Sequence, residues 1–182
     1  MTQQERFELY KTAGVLQDGH FILTSGKHAL QSVDIARLFE NTEFTRQVCQ
    51  ILSEPFVDKG ITMVIGPALG GIIIAYQMAS LLGARCIYAE RKNGIMKLLR
   101  GFKISPEDRV LVAEDIIKTG ISVADVIRIA RDAGAEVVGV CAAIDRSEGR
   151  ADFGLPLYSF LSHNAISYEP ECCPVCSSEK NV

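Results

Sequence analysis

The alternation of apolar and polar stretches along the chain predicts a layered α/β fold. Four short apolar runs have the length and composition of strands: 62–65, 85–89, 109–113 and 136–143. Helical patterns at 71–82 and 122–133 separate the first run from the second and the third from the fourth. Strands that are apolar on both faces and joined by helices favour a mostly parallel sheet with helices on both sides.

The residues before this alternation predict smaller elements. Helical spacing covers 4–13, and an apolar run at 20–24 with a turn at 25–26 is typical of a strand. A longer helical pattern at 42–57 ends near Gly60. The chain is therefore expected to begin with a helix and a short β region.

A stretch without charge or histidine at 60–84 raises the question of a membrane span, since it exceeds the ~20 residues that such a helix needs. Pro67, Gly70 and Gly71 lie in its middle. In a spanning helix Pro67 would remove a backbone hydrogen bond, and each glycine would cost roughly 1 kcal/mol. We therefore predict a buried strand, a glycine-rich turn and a buried helix, and no membrane partner.

Composition narrows the classes of function. The 182 residues favour one domain, and 19 Lys and Arg against 22 Asp and Glu argue against a nucleic-acid binder. The N-terminus is polar and lacks the apolar core of a signal peptide, so we expect a cytoplasmic protein. Its six cysteines are then expected to be mostly reduced thiols.

The most informative segment, 109–123, joins an apolar run to two carboxylates and a small loop. Glu114 and Asp115 end the run, and Thr119, Gly120 and Ser122 follow at the start of a helix. Ligands of parallel sheets bind at this end of the strands. Backbone N–H groups and hydroxyls of such a loop suit a phosphate, whereas carboxylates suit sugar hydroxyls or Mg²⁺. The segment favours a ligand with both a phosphate and a sugar, the alternative being an ordinary helix N-cap at Ser122.

This arrangement resembles the phosphoribosyl pyrophosphate (PRPP) motif of type I phosphoribosyltransferases, and five further segments resemble parts of the branch that acts on orotate. In chain order they are similar to its hood (GHFILTSGKH, 19–28), pyrophosphate loop (VIGPALGG, 64–71), mobile catalytic loop (AERKNGIMKLLRGF, 89–102), orotate-binding segment (AIDRSEG, 143–149) and tail (YEPECCPVC, 168–176). The resemblance implies an α/β type I phosphoribosyltransferase fold. It has a central, mostly parallel sheet flanked by helices and a small hood subdomain. One domain, 1–182, would comprise hood elements at about 1–40, a catalytic core at about 41–165 and a tail at 166–182.

The resemblance also implies an activity and a set of site residues. The reaction is Mg²⁺-dependent transfer of phosphoribosyl from PRPP to orotate, which gives orotidine 5′-monophosphate and pyrophosphate in pyrimidine biosynthesis. The residues expected to be catalytic are Lys97, Arg100 and Asp115, and those expected to contact orotate are Lys27, Lys118 and Arg146. PRPP contacts fall on Lys27, Gly70, Arg91, Lys92, Glu114, Asp115, Ile116, Ile117, Lys118, Thr119, Gly120, Ile121 and Ser122. Mg²⁺ would bind PRPP oxygens without dedicated protein ligands, and a homodimer would use the basic loop across its interface.

Several features keep other functions open. Lys118 and Ile121 depart from the family pattern, and Ile121 requires a negative φ because its side chain is β-branched. The segment 29–35 lacks an aromatic residue for the base, so transfer to another base and a non-catalytic PRPP-sensing regulator remain alternatives. Arg146 favours orotate, since a purine has no carboxylate for the guanidinium to bind. The alternative for this arginine is a surface ion pair with Asp145 or Glu148.

The cysteine tail also has two interpretations. Cys173 and Cys176 have the C-x-x-C spacing of a zinc knuckle or a redox pair. A zinc site would need a further ligand such as His163 or a cysteine of a partner chain. We expect instead a flexible tail without metal, because terminal residues are often poorly ordered and the chain has no second C-x-x-C.

Overall fold

The computed structural model describes residues 1–179, and side chains as far as residue 177. The α-helices are α1 (Gln3–Thr12), α2 (Ala36–Glu40), α3 (Thr42–Ser53), α4 (Gly70–Leu82), α5 (Ile121–Asp132) and α6 (Pro174–Glu179). The strands are β1 (Leu16–Ile22), β2 (His28–Val33), β3 (Met63–Pro67), β4 (Arg85–Lys92), β5 (Ile95–Leu98), β6 (Arg109–Ile117), β7 (Glu136–Asp145), β8 (Leu157–Ser162) and β9 (Ser167–Tyr168). Two 3₁₀ helices lie at Glu54–Lys59 and Pro170–Cys172.

A six-stranded sheet with the order β5-β4-β3-β6-β7-β8 forms the centre of the protein. Its strands are parallel except for β5, which is antiparallel to β4. The mostly parallel sheet and all four strands predicted for it are therefore confirmed. Strands β5 and β8 at its two edges were not predicted.

Both faces of this sheet are buried, which explains the charge-free stretch. Neighbouring residues Met63 and Val64 of β3 are fully buried and belong to two different core clusters. Helices α1, α3 and α4 contribute to the cluster that contains Val64, and α5 contributes to the one that contains Met63. The stretch forms β3, a turn and α4, as predicted, and no helix within residues 1–179 is both long and apolar enough to cross a bilayer.

A smaller antiparallel sheet, β1-β2-β9, forms what we call the hood sheet. The predicted strand 20–24 is displaced, since β1 begins at Leu16 and ends at Ile22. Strand β2 was not predicted, and β9 joins it with Tyr168 opposite His28. The hood sheet thus combines residues from both halves of the chain. The predicted tail belongs to it in part, although residues 180–182 of that tail lie outside the described residues.

Two predicted elements differ from the structure for local reasons. The helix predicted at 42–57 is α-helical only to Ser53 and continues as a 3₁₀ helix, because Pro55 has no N–H for an α-helical hydrogen bond. The segment at 89–102, predicted as a mobile loop, contains the β4–β5 hairpin. Asn93 and Gly94 turn it with φ of 53° and 77°, which is the Asn-Gly signature of a tight hairpin.

Candidate functional site

The two adjacent carboxylates lie within β6 rather than after it, since β6 continues four residues beyond the predicted end, to Ile117. Glu114 is only 7% exposed. Burial, together with the neighbouring Asp115, raises the pKa of Glu114 to about 9. The raised pKa favours the protonated side chain at neutral pH, and in that form Glu114 can donate a hydrogen bond as well as accept one.

The turn at 67–71, which we call the glycine turn, packs directly against this carboxylate pair. A Cβ atom on Gly70 would lie 1.7 Å from Asp115 Oδ2, and one on Gly71 would lie 3.0 Å from Glu114 Oε1. Only glycine fits such an approach. The carboxylates and the turn therefore form one continuous wall, although they are more than 40 residues apart in the sequence.

The glycine turn also contacts the root of the basic hairpin, the name used here for β4–β5. Ala68 N donates a hydrogen bond to Ala89 O at 2.8 Å, and Pro67 stands opposite Ala89 in the sheet register. Helix α4 starts at Gly70 without a side-chain cap, so its first N–H groups remain available to a ligand, apart from that of Ile72, which donates to Leu69 O. The turn has the backbone groups that an anion requires.

A second anion cradle follows β6 at 118–122, and we call it the phosphate loop. It lines a cleft of about 270 Å³ that also includes Glu114. Gly120, with a φ of 78°, is the N-cap of α5, so no side chain caps this helix. The predicted alternative, a helix capped by Ser122, is therefore wrong. Ile121 is the first residue of α5, which confirms the negative φ expected for it.

A larger cleft of about 640 Å³ lies between the hood sheet and the phosphate loop. Residues 21–25 of the hood form one side, and Arg146 and Asn164 lie across from them. Lys118 and Thr119 line this cleft as well as the smaller one, so the two are neighbours. This arrangement offers one end of the site to a phosphate and the other to a flat polar molecule.

Arg146 is held in this cleft with hydrogen-bonding capacity to spare. Its Nε is buried and has no hydrogen-bond partner among the described residues, and burial lowers the pKa of the guanidinium. Nη2 donates to Asn164 Oδ1 at 3.4 Å. The ion pair considered as an alternative is not formed, since Glu148 pairs with Arg150 at 3.2 Å instead.

Two polar or aromatic residues of this cleft stand out among those that sequence reasoning missed. Phe21 lines it and supplies the aromatic ring that appeared to be absent after His28. Asn164 contacts the guanidinium of Arg146. Phe21 lay inside the quoted hood motif and could have been found there, whereas nothing in the sequence marks Asn164.

The predicted pyrophosphate cations line neither cleft. Their ion pairs are Lys27 with Glu169 at 2.7 Å, Arg91 with Asp125 at 2.9 Å, and Arg100 with Glu90 at 3.0 Å. Lys92 and Lys97 are exposed on the basic hairpin. Three of the five predicted cations are thus paired with carboxylates of the same chain.

Comparison with known proteins agrees with this geometry. Residues 35–154 match the family model described as "Phosphoribosyl transferase domain", so the fold and the site define a phosphoribosyltransferase. The orotate phosphoribosyltransferase of Thermotoga maritima is 46% identical over 93% of this chain and 90% of its own, and that of Desulforamulus reducens is 41% identical over 97% and 92%. This chain belongs to the orotate phosphoribosyltransferase family.

A solved relative extends the match to three dimensions. The Mycobacterium tuberculosis orotate phosphoribosyltransferase in complex with PRPP superposes with a TM-score of 0.68 at 28% identity, over 87% of this chain and 96% of that one. The predicted fold class is thereby confirmed.

Proposed function

We propose that this protein transfers the phosphoribosyl group of PRPP to orotate, giving orotidine 5′-monophosphate and pyrophosphate for pyrimidine biosynthesis. The observation that carries the proposal is the half-buried Arg146, whose Nε lacks a hydrogen-bond partner among the described residues. Its cleft adjoins the phosphate loop through Lys118 and Thr119. A guanidinium in this place suits the carboxylate of orotate, while the loop suits the 5′-phosphate.

In the proposed reaction, the bond from ribose C1 to the pyrophosphate oxygen breaks, a bond from C1 to orotate N1 forms, and the proton of N1 passes to the departing pyrophosphate. Glu114 and Asp115 hold the ribose hydroxyls. Backbone N–H groups at Thr119, Gly120 and Ser122 hold the 5′-phosphate. Positive charge develops on the ribose and negative charge on the departing pyrophosphate, so catalysis is mainly electrostatic positioning.

Cations and backbone N–H groups stabilise the leaving group. The glycine turn offers N–H groups beside Gly70, and the residues assigned to the pyrophosphate are Lys27, Arg91, Lys92, Lys97 and Arg100. The ion pairs of Arg91 with Asp125 and Arg100 with Glu90 must open before these side chains reach an anion. Because both pairs are on the surface, their opening costs little, about 0–1 kcal/mol each.

The residues present fit a Mg²⁺ ion that is bound mainly through the substrate. Asp115 is the more exposed of the two carboxylates and its Oδ2 lies at the glycine turn, so it is the residue that would face the ion. Mg²⁺ in phosphate sites typically binds one or two carboxylates and retains several waters. When bound, the ion neutralises charge on the pyrophosphate oxygens.

We also propose a homodimer in which the basic hairpin acts in the partner's site. Leu69, which precedes α4, and Ile73 and Tyr76 on α4 are 83%, 42% and 69% exposed. Exposed apolar side chains that cluster in this way are typical of a protein interface. The proposed partners are small substrates and a second copy of this chain, and no nucleic acid or membrane. The proposed location is the cytoplasm.

Orotate and uracil make a matched pair of substrates for the test, because uracil lacks only the carboxylate. With Mg²⁺ and PRPP, we expect consumption of orotate and little of uracil. Arg146→Ala should raise KM for orotate by about 10- to 100-fold, the value of a charged hydrogen-bonded contact, with KM for PRPP nearly unchanged. Arg128→Ala, an exposed arginine on α5, is the control. Turnover of uracil at the same rate as orotate, or no turnover of any base, would refute the proposal.

Action of the hairpin across a dimer can be tested by mixing two inactive variants, Lys97→Ala and Asp115→Asn. In a randomly assembled dimer about one quarter of the sites would contain neither substitution if the hairpin acts in trans. Activity of the mixture should therefore return to about one quarter of the wild-type value. A mixture as inactive as its components would place the hairpin in its own subunit's site.

A further inference from the structure

Four metal-ligating side chains meet between the hood sheet and the tail, and none of them lines the two clefts. The candidate ligand atoms of His20, His28, Cys173 and Cys176 all lie within 4.8 Å of one another. His20 Nε2 is 3.0 Å from His28 Nδ1 and 3.4 Å from Cys173 Sγ. Cys176 Sγ is 3.6 Å from His20 Nε2 and 3.3 Å from His28 Nδ1. We call this group the Cys2His2 cluster.

These distances agree with the edges of a tetrahedron around one zinc ion. With Zn–N near 2.0–2.1 Å and Zn–S near 2.3 Å, the edges should be about 3.4 Å between nitrogens and about 3.6 Å between nitrogen and sulfur. The four measured distances lie within a few tenths of an ångström of those values. The remaining two separations between ligand atoms are no longer than 4.8 Å, so the four side chains surround a space of the size that one ion needs.

Hydrogen bonds alone do not explain the arrangement. Nε2 of His20 lies close to His28 Nδ1 and to the sulfurs of Cys173 and Cys176. One ring nitrogen carries at most one proton, which can point to only one of the three. A cation in the centre would interact favourably with the lone pairs of all four ligand atoms.

The backbone explains why these four residues converge. His20 on β1 and His28 on the paired strand β2 have ring centroids 4.8 Å apart, so both imidazoles lie at the same place on the hairpin. Tyr168 of β9 pairs with His28, which brings the following residues to the same place. Cys173 is fully buried and Cys176 lies one helical turn further on, at the start of α6.

The structure also bears on two points that the sequence left open. His163 is not part of the cluster, because its Nε2 contacts Gln31 Oε1 and its ring packs against Phe7 at 5.3 Å. The tail is not a loose segment as far as it is described, since β9 pairs with β2 and the Cys173 side chain is 0% exposed.

We propose that His20, His28, Cys173 and Cys176 bind one structural zinc ion that fastens the tail to the hood sheet. Two thiolates and two imidazoles in a tetrahedron are typical of zinc, and four protein ligands leave no open position for catalysis. The site adjoins Lys27, which precedes His28 and pairs with Glu169 of the tail. Zinc therefore also holds in place the part of the hood that carries Lys27.

The test is the metal content of the purified full chain, measured after expression with zinc and extensive dialysis. We expect one zinc per chain in the wild type and in Cys172→Ser, which changes an exposed neighbouring cysteine outside the cluster. Cys176→Ser should lose the zinc. Loading of Co²⁺ into chelator-treated wild type should produce the intense visible absorption of tetrahedral thiolate-bound cobalt, and zinc should raise the melting temperature of the same apoprotein.

The wild-type measurements decide the matter even if Cys176→Ser does not fold. Substoichiometric zinc in the wild type, a Cys173–Cys176 disulfide, iron in place of zinc, or equal zinc loss from Cys172→Ser and Cys176→Ser would each overturn the proposal. None of these readouts depends on PRPP or orotate. A failure here is therefore distinguishable from a failure of the proposed activity.

Discussion

The buried Glu114 makes a sharp prediction about how stability depends on pH. Its pKa is raised to about 9 in the folded chain by burial and by Asp115, whereas an unfolded glutamate titrates near 4.5. Between these values the folded chain retains a proton that the unfolded chain has lost. Stability must then fall as pH rises through this window, and replacement of Glu114 by glutamine should remove that part of the slope.

The magnitude follows from proton linkage. One proton bound only by the folded state changes the free energy of unfolding by about 1.4 kcal/mol per pH unit. From pH 6 to pH 8, Glu114→Gln should therefore gain about 3 kcal/mol relative to wild type. Titrating groups that do not interact with Glu114 contribute equally to both chains and cancel, because the chains differ at one position.

Urea unfolding at pH 6, 7 and 8 measures this difference directly. The matched control is Glu54→Gln, an exposed glutamate whose replacement should leave the slope unchanged. If wild type and Glu114→Gln lose stability in parallel between pH 6 and pH 8, Glu114 is ionised in the folded chain. The account of a protonated acid at this site would then be refuted.

Three further substitutions test the packing around the site and beneath it. Gly70→Ala should abolish PRPP turnover. Calorimetry should show that Gly70→Ala destabilises the wild type more than it destabilises an Asp115→Ala variant, because the added Cβ overlaps the Asp115 carboxylate. Equal destabilisation of the two chains would contradict the contact. Burial alone would raise the pKa of Asp108, but its hydrogen bonds lower the pKa overall. Asp108→Asn should therefore cost about 1–3 kcal/mol of unfolding free energy at pH 7, measured in urea. The cost should shrink as the pH falls through the folded pKa, because the wild-type carboxylate is then protonated. Tyr10→Phe should cost about 1 kcal/mol, because it leaves the buried Ala143 carbonyl without its 2.9 Å hydrogen bond; an unchanged urea midpoint would argue against that bond.

The central sheet was predictable because its strands are buried on both faces. Apolar runs such as that of β3 carry a signal that does not depend on neighbours. Strand β2 is half-buried and mixes His28, Gln31 and Ser32 with apolar residues, so periodicity gave no comparable signal. Strand β5 and the end of β4 were not predicted, because charged residues on both sides of the Asn-Gly turn hide the apolar pattern of the strands.

The candidate site likewise has a part that could be predicted from the sequence and a part that could not. Glu114, Asp115 and the phosphate loop are consecutive, and their residue types indicate their chemistry. Phe21 and Asn164 enter the cleft only through the packing of the hood against the core. The Cys2His2 cluster was half visible in its C-x-x-C spacing, but its histidines lie some 150 residues away in the sequence, and only the pairing of β9 with β2 brings them together.

The hood sheet also has a consequence for the order in which this protein can fold during synthesis. Strand β9 leaves the ribosome more than 130 residues after β2, its partner in the sheet. Strands β3, β6 and β7 are complete by residue 145, so the central sheet can form on the nascent chain first. The hood sheet is therefore completed last. A chain stalled before residue 167 would contain the phosphate loop, but its hood sheet would lack β9.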